Sequence, residues 1–547
     1  MARDRRYNGV PTDFAIIARD IGALLLIEAG LMTVSVVVGA LFREWQTALA
    51  FLIAGAVVAG IGYGARRLFE SAPPPVMKHG MVIAAAGWLI VALGGALPLF
   101  LAAWLVPPTV QASYVPAGAT YTSSLQHFTN PLHAIFESMS GWTGSGLTMA
   151  VHEPSLPRTI QWWRSLMQWV GGVGVIVLTV SILARPGSGS YALYRSEARE
   201  QRIHPSIVST VRTIWKVFLL YTGVAIAAMF GAISLSDYGR QLSLFETAWQ
   251  ALNHAMTALA TGGFSVTDNS IATYNSPLIE GVLLPIMTLG AIAFPIHYAV
   301  LHERDLTRLR EDLQTRLLFT LLIVGAITLA VQNVIDISHA DFGRASAAPA
   351  WLGLSTAGAD AARDGVFQFV SALTCTGFQS SPIGSWGNGG KLIVSGAMVL
   401  GGAAGSTVGG IKLIRGYTAI RGIMWQFGRV FLPANAVVTT RIGDRQLDRT
   451  EMEREFSEAA VVSLLWLVLL AVGSFVMVNT TPAQFGYADV LFEVASAQGN
   501  VGLSTGITGP SMSPLAESML VLNMWIGRLE IIPVLVFVRA ALYGLQP

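Results

Sequence analysis

The chain has 547 residues, of which 53% are hydrophobic and 12% are charged, and its mean hydropathy is +0.57. Average soluble domains carry about 25% charged residues, so this composition excludes an ordinary soluble enzyme. The net charge of +2 gives no indication of a nucleic-acid partner. Because Cys375 is the single cysteine, a disulfide within the chain is impossible and a cysteine-ligated metal site is not expected.

Apolar stretches long enough to cross a hydrocarbon core of about 30 Å recur from end to end of the chain. The first is too long for the core of a signal peptide, so we interpret it as a retained span. About ten spans are predicted, near Ile21–Phe42, Ala48–Ala65, Val82–Leu105, Ile160–Leu183, Ile214–Ile233, Leu278–Val300, Leu317–Val331, Lys391–Leu413, Ala459–Val478 and Met519–Leu542. The predicted fold class is therefore an all-α polytopic membrane protein.

Basic residues predict the orientation, because cytoplasmic loops are enriched in Lys and Arg. With the N-terminus inside, the outside connections contain chiefly Arg43, Arg240, Arg344 and Arg363. The inside loops contain many more, namely Arg66, Arg67, Lys78, Arg185, Arg195, Arg199, Arg202, Arg304, Arg308, Arg310, Arg415, Arg421, Arg429, Arg441, Arg445, Arg449 and Arg454. Both termini are therefore placed in the cytoplasm.

Four segments of the chain align with one another without gaps: residues 136–148, 253–265, 367–379 and 492–504. Each contains a glycine followed by Leu or Phe, and these glycines are Gly146, Gly263, Gly377 and Gly502. A hydroxyl side chain stands six residues before each glycine and a polar side chain nine before it; the sets are Ser140, Thr257, Ser371, Ser496 and Glu137, His254, Gln368, Glu493. A second glycine follows 24 to 27 residues later, at Gly171, Gly290, Gly401 and Gly527. Agreement in two registers predicts four repeats.

Each repeat has room for one outer span, one short re-entrant helix and one inner span. We assign repeat 1 to residues 81–200, repeat 2 to 201–312, repeat 3 to 313–450 and repeat 4 to 451–547, after a two-helix extension at 1–80. Four such units around one axis would bring four loops together, and their carbonyl oxygens can replace the hydration shell of an ion, as in potassium filters. Glycine suits these loops because inward carbonyls need dihedral angles that a Cβ forbids. Glycines that only pack helices would not explain the shared Ser or Thr.

Several motifs of these repeats resemble those of potassium transporters of the Trk/Ktr/HKT superfamily, most closely the bacterial TrkH branch. They are Thr374-Cys-Thr-Gly-Phe378, Asn500-Val-Gly-Leu-Ser-Thr-Gly506, Gln168-Trp-Val-Gly-Gly172, Gly405-Ser-Thr-Val-Gly-Gly-Ile-Lys412 and Trp525-Ile-Gly-Arg528. The resemblance covers about residues 80–547 and implies a potassium transporter of the cytoplasmic (inner) membrane. It also implies a homodimer and a cytosolic TrkA-like ring that binds nucleotides, since no cofactor is expected in this chain itself.

By resemblance, the candidate ion-binding residues hold K⁺ as the transported ion. They are Thr143, Ser145, Gly146, Thr261, Gly262, Gly263, Thr374, Cys375, Thr376, Gly377, Asn500, Val501 and Gly502. The first two loops depart from the family pattern, since they read Thr143-Gly-Ser-Gly146 and Thr261-Gly-Gly263. Family members with serine at the first filter glycine tend toward sodium, so Gly146 favours potassium.

The third inner span is interrupted by ten residues, Gly401–Gly410, of which five are glycine. Glycine costs about 1 kcal/mol per residue in a helix, so we predict a loop at mid-membrane depth, where irregular backbone survives only beside protein or water. We expect a gate formed by Arg528 with Gly402, Gly405, Ser406, Thr407 and Gly409. The alternative is that Arg528 is a packing residue paired with Glu530.

Other ionisable side chains allow two interpretations. Glu28 lies inside the first span and is interpreted as a protonated or hydrogen-bonded structural residue rather than part of an ion pathway. Glu137 and Glu493 either attract cations or anchor their loops, and Asp268 either lines the outer mouth or is a solvated loop residue. His254 is interpreted as structural, because no second histidine stands at metal-ligand spacing.

These observations predict potassium uptake through a channel-like pore. A Na⁺-permeable protein, or a symporter that couples K⁺ to Na⁺ or H⁺, is the alternative within the same superfamily. An alternating-access symporter of another class needs inverted repeats, whereas each repeat here is expected to begin with a span that runs outward from the cytoplasm. An enzyme would need convergent acid, base or metal groups, so no enzymatic activity is expected.

Overall fold

The computed structural model describes residues 6–7, 10–183, 207–336, 356–431, 440–443 and 445–545, and these residues are mainly helical. The first helices are α1 (Thr12–Leu41), α2 (Trp45–Leu68), α3 (Met77–Leu105), α4 (Pro108–Ser113), α5 (Pro131–Thr143) and α6 (Arg158–Leu183). They are followed by α7 (Ile207–Leu235), α8 (Leu244–Leu259), α9 (Pro277–Ala291), α10 (Phe294–Tyr298) and α11 (Arg308–Glu311). The remainder are α12 (Leu313–Ile335), α13 (Thr356–Leu373), α14 (Asn388–Val399), α15 (Leu413–Arg429), α16 (Arg449–Thr480), α17 (Tyr487–Gly499), α18 (Pro514–Leu529) and α19 (Ile531–Tyr543).

Shorter elements connect these helices. They are the 3-10 helices Ser124–Thr129, Glu153–Ser155, Gly239–Gln241, Ser270–Tyr274 and Ile383–Ser385, and the π-helix Ala299–Glu303, which continues α10. Two antiparallel hairpins pair β1 (Arg6–Tyr7) with β2 (Val10–Pro11) and β3 (Thr440–Ile442) with β4 (Arg445–Leu447). Because these strands have only two or three residues, the all-α fold class predicted from the sequence is confirmed.

Eight of the ten predicted spans correspond to helices that are long and apolar enough to cross a membrane. Six are single helices, namely α1, α2, α3, α7, α12 and α16. Two are bent pairs, in which α9 meets α10 at 108° and α18 meets α19 at 111°. A ninth helix, α6, has 26 residues, or about 39 Å at 1.5 Å per residue. The tenth span consists of the 12-residue α14 and the loop that follows it.

The spans predicted at Leu278–Val300 and Met519–Leu542 are bent pairs of helices and not straight ones, because each is broken near its middle. Pro295 lies in the first turn of α10, and proline has no N–H with which to continue the hydrogen bonding of a preceding helix. Glu530 has a φ of 57° and a ψ of 152°, and this non-helical residue separates α18 from α19.

The predicted inside segment Arg415–Arg454 contains α15, the hairpin of β3 and β4, and the beginning of α16. Trp425, Ile442, Leu447 and Met452 form a small apolar core there, separate from the main one. Some predictions lie outside the described residues, namely the repeat boundary between residues 200 and 201 and the topological roles of Arg185, Arg195, Arg199, Arg202 and Arg344.

Small residues allow the helices of the two-helix extension to pack closely on each other and on α3. A Cβ on Gly22 or on Gly62 would lie less than 3.0 Å from the carbonyl oxygen of the other, so α1 and α2 approach as closely as glycines allow. On another face of α1, Glu28 lies against Gly94 and Gly95 of α3.

Each of the four aligned segments begins in a short helix: α5, α8, α13 and α17, with 13, 16, 18 and 13 residues. At 1.5 Å per residue they are about 20 to 27 Å long. Polar caps begin two of them, since Asn130 Oδ1 accepts from the N–H of Leu132 (3.0 Å) and Ser243 Oγ from that of Glu246 (3.1 Å). Their C-terminal residues are buried, so the four helices end inside the molecule.

Candidate ion-binding site

The four short helices end in the same turn. Two residues before each predicted filter glycine the backbone is left-handed, with φ of 70° at Gly144, 51° at Thr261, 50° at Cys375 and 53° at Asn500. The next N–H donates to a carbonyl oxygen of the helix, from Ser145 to Ser140 (2.9 Å), Gly262 to Thr257 (2.9 Å), Thr376 to Ser371 (2.8 Å) and Val501 to Ser496 (2.9 Å). Bonds of this kind close helix C-termini at left-handed residues, so the chain leaves all four helices in one conformation.

The four predicted filter glycines, which we call the ring glycines of loops 1 to 4, meet in a closed ring. Their φ angles are positive: 80° at Gly146, 74° at Gly263, 81° at Gly377 and 101° at Gly502. A Cβ on each would lie less than 3.0 Å from the carbonyl oxygen of the residue that precedes the ring glycine of the next loop. These oxygens belong, in ring order, to Gly262, Thr376, Val501 and Ser145. Since the order returns from loop 4 to loop 1, the loops surround one axis.

The polar residue nine positions before each ring glycine anchors its own loop. It accepts from the N–H three positions after the glycine: Glu137 from Met149 (2.8 Å), His254 from Val266 (3.4 Å), Gln368 from Ser380 (2.7 Å) and Glu493 from Thr505 (3.0 Å). Of the two interpretations offered for Glu137 and Glu493, the contacts therefore match anchoring of the loops.

The residue six positions before each ring glycine bonds to its loop in three repeats. Thr257 and Ser371 donate to the carbonyl oxygens of Phe264 and Phe378, each at 2.9 Å, and Ser496 Oγ accepts from the N–H of Gly502 at 3.0 Å. Ser140 Oγ has no hydrogen-bond partner within the described part of the chain.

The polar side chains of the loops bond to one another. The hydroxyls of Thr143 and Ser145 lie 3.1 Å apart, and those of Thr374 and Thr376 lie 2.8 Å apart. Asn500 Nδ2 donates to Ser145 Oγ at 2.8 Å, which joins loop 4 to loop 1. Because these side chains are occupied, the group that the four loops present in common is the peptide backbone.

The second glycines of the repeats pack on the short helices. A Cβ on Gly171, Gly290 or Gly527 would lie less than 3.0 Å from the carbonyl oxygen of Trp142, Leu259 or Gln498, respectively. Each of these oxygens belongs to the residue four positions before a ring glycine. Gly401 is the exception, since its Cβ would meet the carbonyl oxygen of Gly409. In repeat 3, the loop thus takes the place of the helix contact.

The loop at residues 400–412 is held in place by repeats 2 and 4, and Arg528 of repeat 4 also links it to repeat 1. Arg528 donates to the carbonyl oxygens of Thr407 (2.6 Å) and of Gly171 (2.9 Å). Thr407 Oγ1 lies 2.8 Å from Thr261 Oγ1, directly before Gly262 of loop 2. The N–H of Phe294 donates to the carbonyl oxygen of Gly405 at 3.0 Å. The predicted gate residues therefore contact the ring and both broken spans.

The alternative pairing of Arg528 with Glu530 is not what the structure places there. Glu530 Oε2 accepts from Arg415 at 2.9 Å, at the beginning of α15, so this carboxylate ties α15 to the break between α18 and α19. The guanidinium of Arg528 is 5% exposed and is directed at the loop.

Comparison with known proteins identifies the fold and the family. Residues 79–543 match the model of the TrkH family, described as cation transport protein. The chain belongs to the TrkH family. The resemblance inferred from the motifs is thereby confirmed, and together with the apolar helices it makes the chain a multi-pass membrane transport protein.

Relatives of this TrkH-family chain span nearly its whole length. An uncharacterized cation transporter of Methanocaldococcus jannaschii is 30% identical over 512 residues, which cover 93% of this chain and 92% of that protein. The Trk system potassium uptake protein TrkH of Escherichia coli K12 is 27% identical over 541 residues, 96% of this chain and 98% of that protein. The crystal structure of the potassium transporter TrkH from Vibrio parahaemolyticus superposes with a TM-score of 0.76 at 22% identity, over 97% of this chain and 99% of that one. That likeness shows the fold.

Three further candidate residues, Glu28, Asp268 and His254, lie outside the ring of glycines, although His254 anchors loop 2. Glu28 is 1% exposed, and both of its carboxylate oxygens lack a hydrogen-bond partner among the described residues. Asp268 accepts from the Tyr121 hydroxyl at 3.3 Å and lies 3.4 Å from His152 Nδ1, so it is a bonded residue of the outer connections. His254 bonds Ser265 and Tyr274, and no cluster of metal-ligating side chains occurs in the described ranges.

Two residues of α6 that hold loop 2 were not predicted from the sequence. Gln168 Nε2 donates to the carbonyl oxygen of Gly262 at 2.6 Å, and its Oε1 accepts from the N–H of Phe264 at 2.9 Å. Gly263 is thus held on both sides by one side chain from repeat 1. Gln168 is the first residue of the motif Gln168-Trp-Val-Gly-Gly172, so the motif marked this residue but did not predict its contact with loop 2. The second missed residue, Arg164, is buried next to Glu137.

Proposed function

We propose that this chain takes up K⁺ across the cytoplasmic membrane through a channel-like pore whose selectivity filter is the ring of four loops. The observation that carries this proposal is the closed order of close approaches between each ring glycine and the carbonyl group of the next loop. Backbone carbonyls around one axis can take over the coordination of a dehydrated cation. A single chain supplies all four loops, so no second subunit is needed to complete the filter.

Potassium is the ion favoured by the relatives. Several of them carry potassium uptake in their names, and all four ring positions of this chain are glycine. The candidate residues other than glycine, from Thr143 to Val501, support the ring through their backbone and through the bonds among their side chains. Their role is to hold the carbonyls at a spacing that suits K⁺ better than Na⁺.

Ion flux in liposomes tests this function. Purified protein should admit K⁺ and Rb⁺ in preference to Na⁺, and the preference should be independent of a proton gradient. Equal flux of Na⁺ and K⁺ would favour a Na⁺-permeable protein. A K⁺ flux that requires an inward H⁺ or Na⁺ gradient would favour a coupled symporter and would overturn passive conduction.

We further propose that the loop at 400–412 is a gate. It carries Gly402, Gly405, Ser406, Thr407 and Gly409, and it contacts the ring through Thr261. Arg528 donates hydrogen bonds to the carbonyl oxygens of Thr407 and Gly171 and so links the loop to α6. Its guanidinium also adds a positive charge beside the cation path. The hydrogen bonds hold the loop across the path, which closes the path sterically. The charge of Arg528 raises the electrostatic free energy of a cation in the path.

Assembly follows from the family likeness and is also a proposal. We place both termini in the cytoplasm, with the chain as a homodimer that binds a cytosolic nucleotide-binding ring. The basic segment at 415–454 is the docking region, and the cluster around Trp425 and Met452 gives it a folded core. Flux that is identical with and without such a ring, at saturating nucleotide, would refute the regulation; a monomeric mass for the purified protein would refute the dimer.

A further inference from the structure

A buried arginine lies between loops 1 and 2, outside the ring itself. Arg164, on α6, is 1% exposed, and its Nε donates to Glu137 Oε1 at 2.6 Å. Its Nη2 donates to Thr148 Oγ1 at 3.1 Å, and its Nη1 donates to the carbonyl oxygen of Ser265 at 2.9 Å. One guanidinium is therefore hydrogen-bonded to both loops.

The two loop contacts of Arg164 occupy equivalent positions. Thr148 stands two residues after Gly146, and Ser265 stands two residues after Gly263. The guanidinium also lies over the ring of Phe264, with 4.2 Å between Cζ and the ring centroid. Because a guanidinium is planar and its N–H groups have fixed directions, these contacts define the separation of the two loops.

The other junctions are built differently in the described part of the chain. Eighteen residues after the ring glycine, where repeat 1 has Arg164, the other repeats have Gly281, Ser395 and Leu520. Loops 3 and 4 are joined at the position equivalent to that of Thr148 by a neutral bond, from Gln379 Nε2 to the carbonyl oxygen of Ser504 at 3.0 Å.

Other ion pairs also join repeats, namely Arg158–Glu246 at 2.6 Å, Arg363–Glu280 at 3.2 Å and, between repeats 3 and 4, Lys391–Asp489 at 2.6 Å. Asp489 lies near the beginning of α17, thirteen residues before Gly502, whereas the Arg164 contacts lie two residues after the ring glycines. Within the described ranges, Arg164 is thus the one charged side chain that bonds the residues two positions after the ring glycine in two different loops.

We propose that Arg164 is a positioning residue that determines ion selectivity: it sets the spacing of loops 1 and 2 and hence the fit of the ring to K⁺. This proposal rests on the proposed filter. Charge-assisted hydrogen bonds are shorter and stronger than neutral ones, so the loops at this junction resist the displacement that a smaller ion would require. A lysine would keep the charge but lose the fork that bonds three groups at once.

Three variants test the role of Arg164. Arg164→Lys keeps the charge, the double variant Arg164→Gln with Glu137→Gln removes both buried charges, and Thr148→Val removes one of the three bonds. Gln379→Ala is the matched control at the neutral junction. Flux of Na⁺, K⁺ and Rb⁺ into liposomes gives the selectivity ratios, and thermal unfolding in detergent reports on the fold.

We expect the K⁺/Na⁺ ratio to fall about tenfold in Arg164→Lys and in the double variant, and about threefold in Thr148→Val. Gln379→Ala should change it by less than about threefold. A residue that only stabilises the fold would lower the flux of all ions equally and leave the ratio at the wild-type value. An unchanged ratio in Thr148→Val and in whichever of the other two variants inserts would overturn the positioning role.

The failure of this proposal can be distinguished from failure of the filter. If Gly146→Ser and Gly263→Ser lose selectivity while the Arg164 variants keep it, the filter stands and only the role of Arg164 is refuted. If the glycine variants also keep the wild-type ratio, the filter assignment is refuted as well.

Discussion

The ring glycines and the second glycines of the inner helices belong to the same four repeats, yet they differ in regularity. All four ring glycines have positive φ and face the carbonyl group of the next loop. Of the second glycines, three face a short helix and Gly401 faces its own loop. A coordinating ring needs four equivalent contributions, whereas a gate needs one element that can move. Under the proposed function, the difference in regularity separates the proposed filter from the proposed gate.

The largest effect is expected at the ring. Serine at Gly146, Gly263, Gly377 or Gly502 adds a Cβ less than 3.0 Å from a backbone carbonyl oxygen and at a φ that L-residues avoid. Each substitution should lower the K⁺/Na⁺ ratio about 100-fold, which corresponds to about 2.7 kcal/mol. Liposome flux measures the ratio. Gly396→Ser is the control, because a Cβ there meets nothing within 4 Å.

The second glycines should respond differently according to what they face. Alanine at Gly171, Gly290 or Gly527 would displace a short helix, and overpacking of this kind costs about 1–3 kcal/mol of stability. Alanine at Gly401 would displace the loop and should change K⁺ flux more than the thermal midpoint. Equal losses of stability in all four variants would contradict the distinction between helix and loop contacts.

A smaller effect is expected at the gate. Arg528→Ala removes the bonds to Thr407 and Gly171 and should raise K⁺ flux about three- to tenfold without loss of selectivity. Arg528→Lys separates the two contributions, since it retains the charge but not the two-pronged contact. A flux that stays constant or falls in correctly inserted Arg528→Ala would count against a gate.

The smallest effect is expected on the pH dependence of stability, through Glu153 in the connection between α5 and α6. Burial raises the pKa of the Glu153 carboxyl well above its usual value near 4.5, although Arg164 acts in the opposite direction. Because the unfolded chain ionises this group more readily, stability is full at low pH and is lost as the pH rises above 4.5.

Glu153→Gln removes this pH-dependent loss. The variant should unfold about 1–2 °C higher than the wild type at pH 8 and at the same temperature at pH 4. Thermal unfolding in detergent at both pH values measures the difference, and a wild-type midpoint that rises from pH 4 to pH 8 relative to the variant would refute the assignment.

The sequence predicted those features that recur as residue types. The ring glycines and the polar residues nine positions earlier were found because all four repeats keep them at one spacing. The left-handed turn common to all four loops was not predicted, since Gly144 and Asn500 are residue types that favour such a turn but Thr261 and Cys375 are not. The contacts of Arg164 and Gln168 were also missed, because they join different repeats and depend on how the helices are arranged around the axis.

The breaks at Pro295 and Glu530 were missed for a different reason. Hydropathy extends across both breaks, so each pair of helices has the composition of one continuous span. Proline in a membrane helix is compatible with a straight or a kinked span. Whether the span bends depends on its contacts with the surrounding loops, which the sequence does not reveal. The loop at residues 400–412 was predicted because its glycines make a helix unfavourable by themselves.

The most direct test of the filter is to locate a cation in it. Rb⁺ or Tl⁺ can replace K⁺, and both give anomalous X-ray scattering that Na⁺ lacks. We predict an anomalous peak on the axis enclosed by Gly146, Gly263, Gly377 and Gly502 in crystals grown with Rb⁺ or Tl⁺, and its loss in competition with K⁺ but not with Na⁺. A ring without a peak, or a peak displaced by Na⁺ as readily as by K⁺, would contradict a potassium filter.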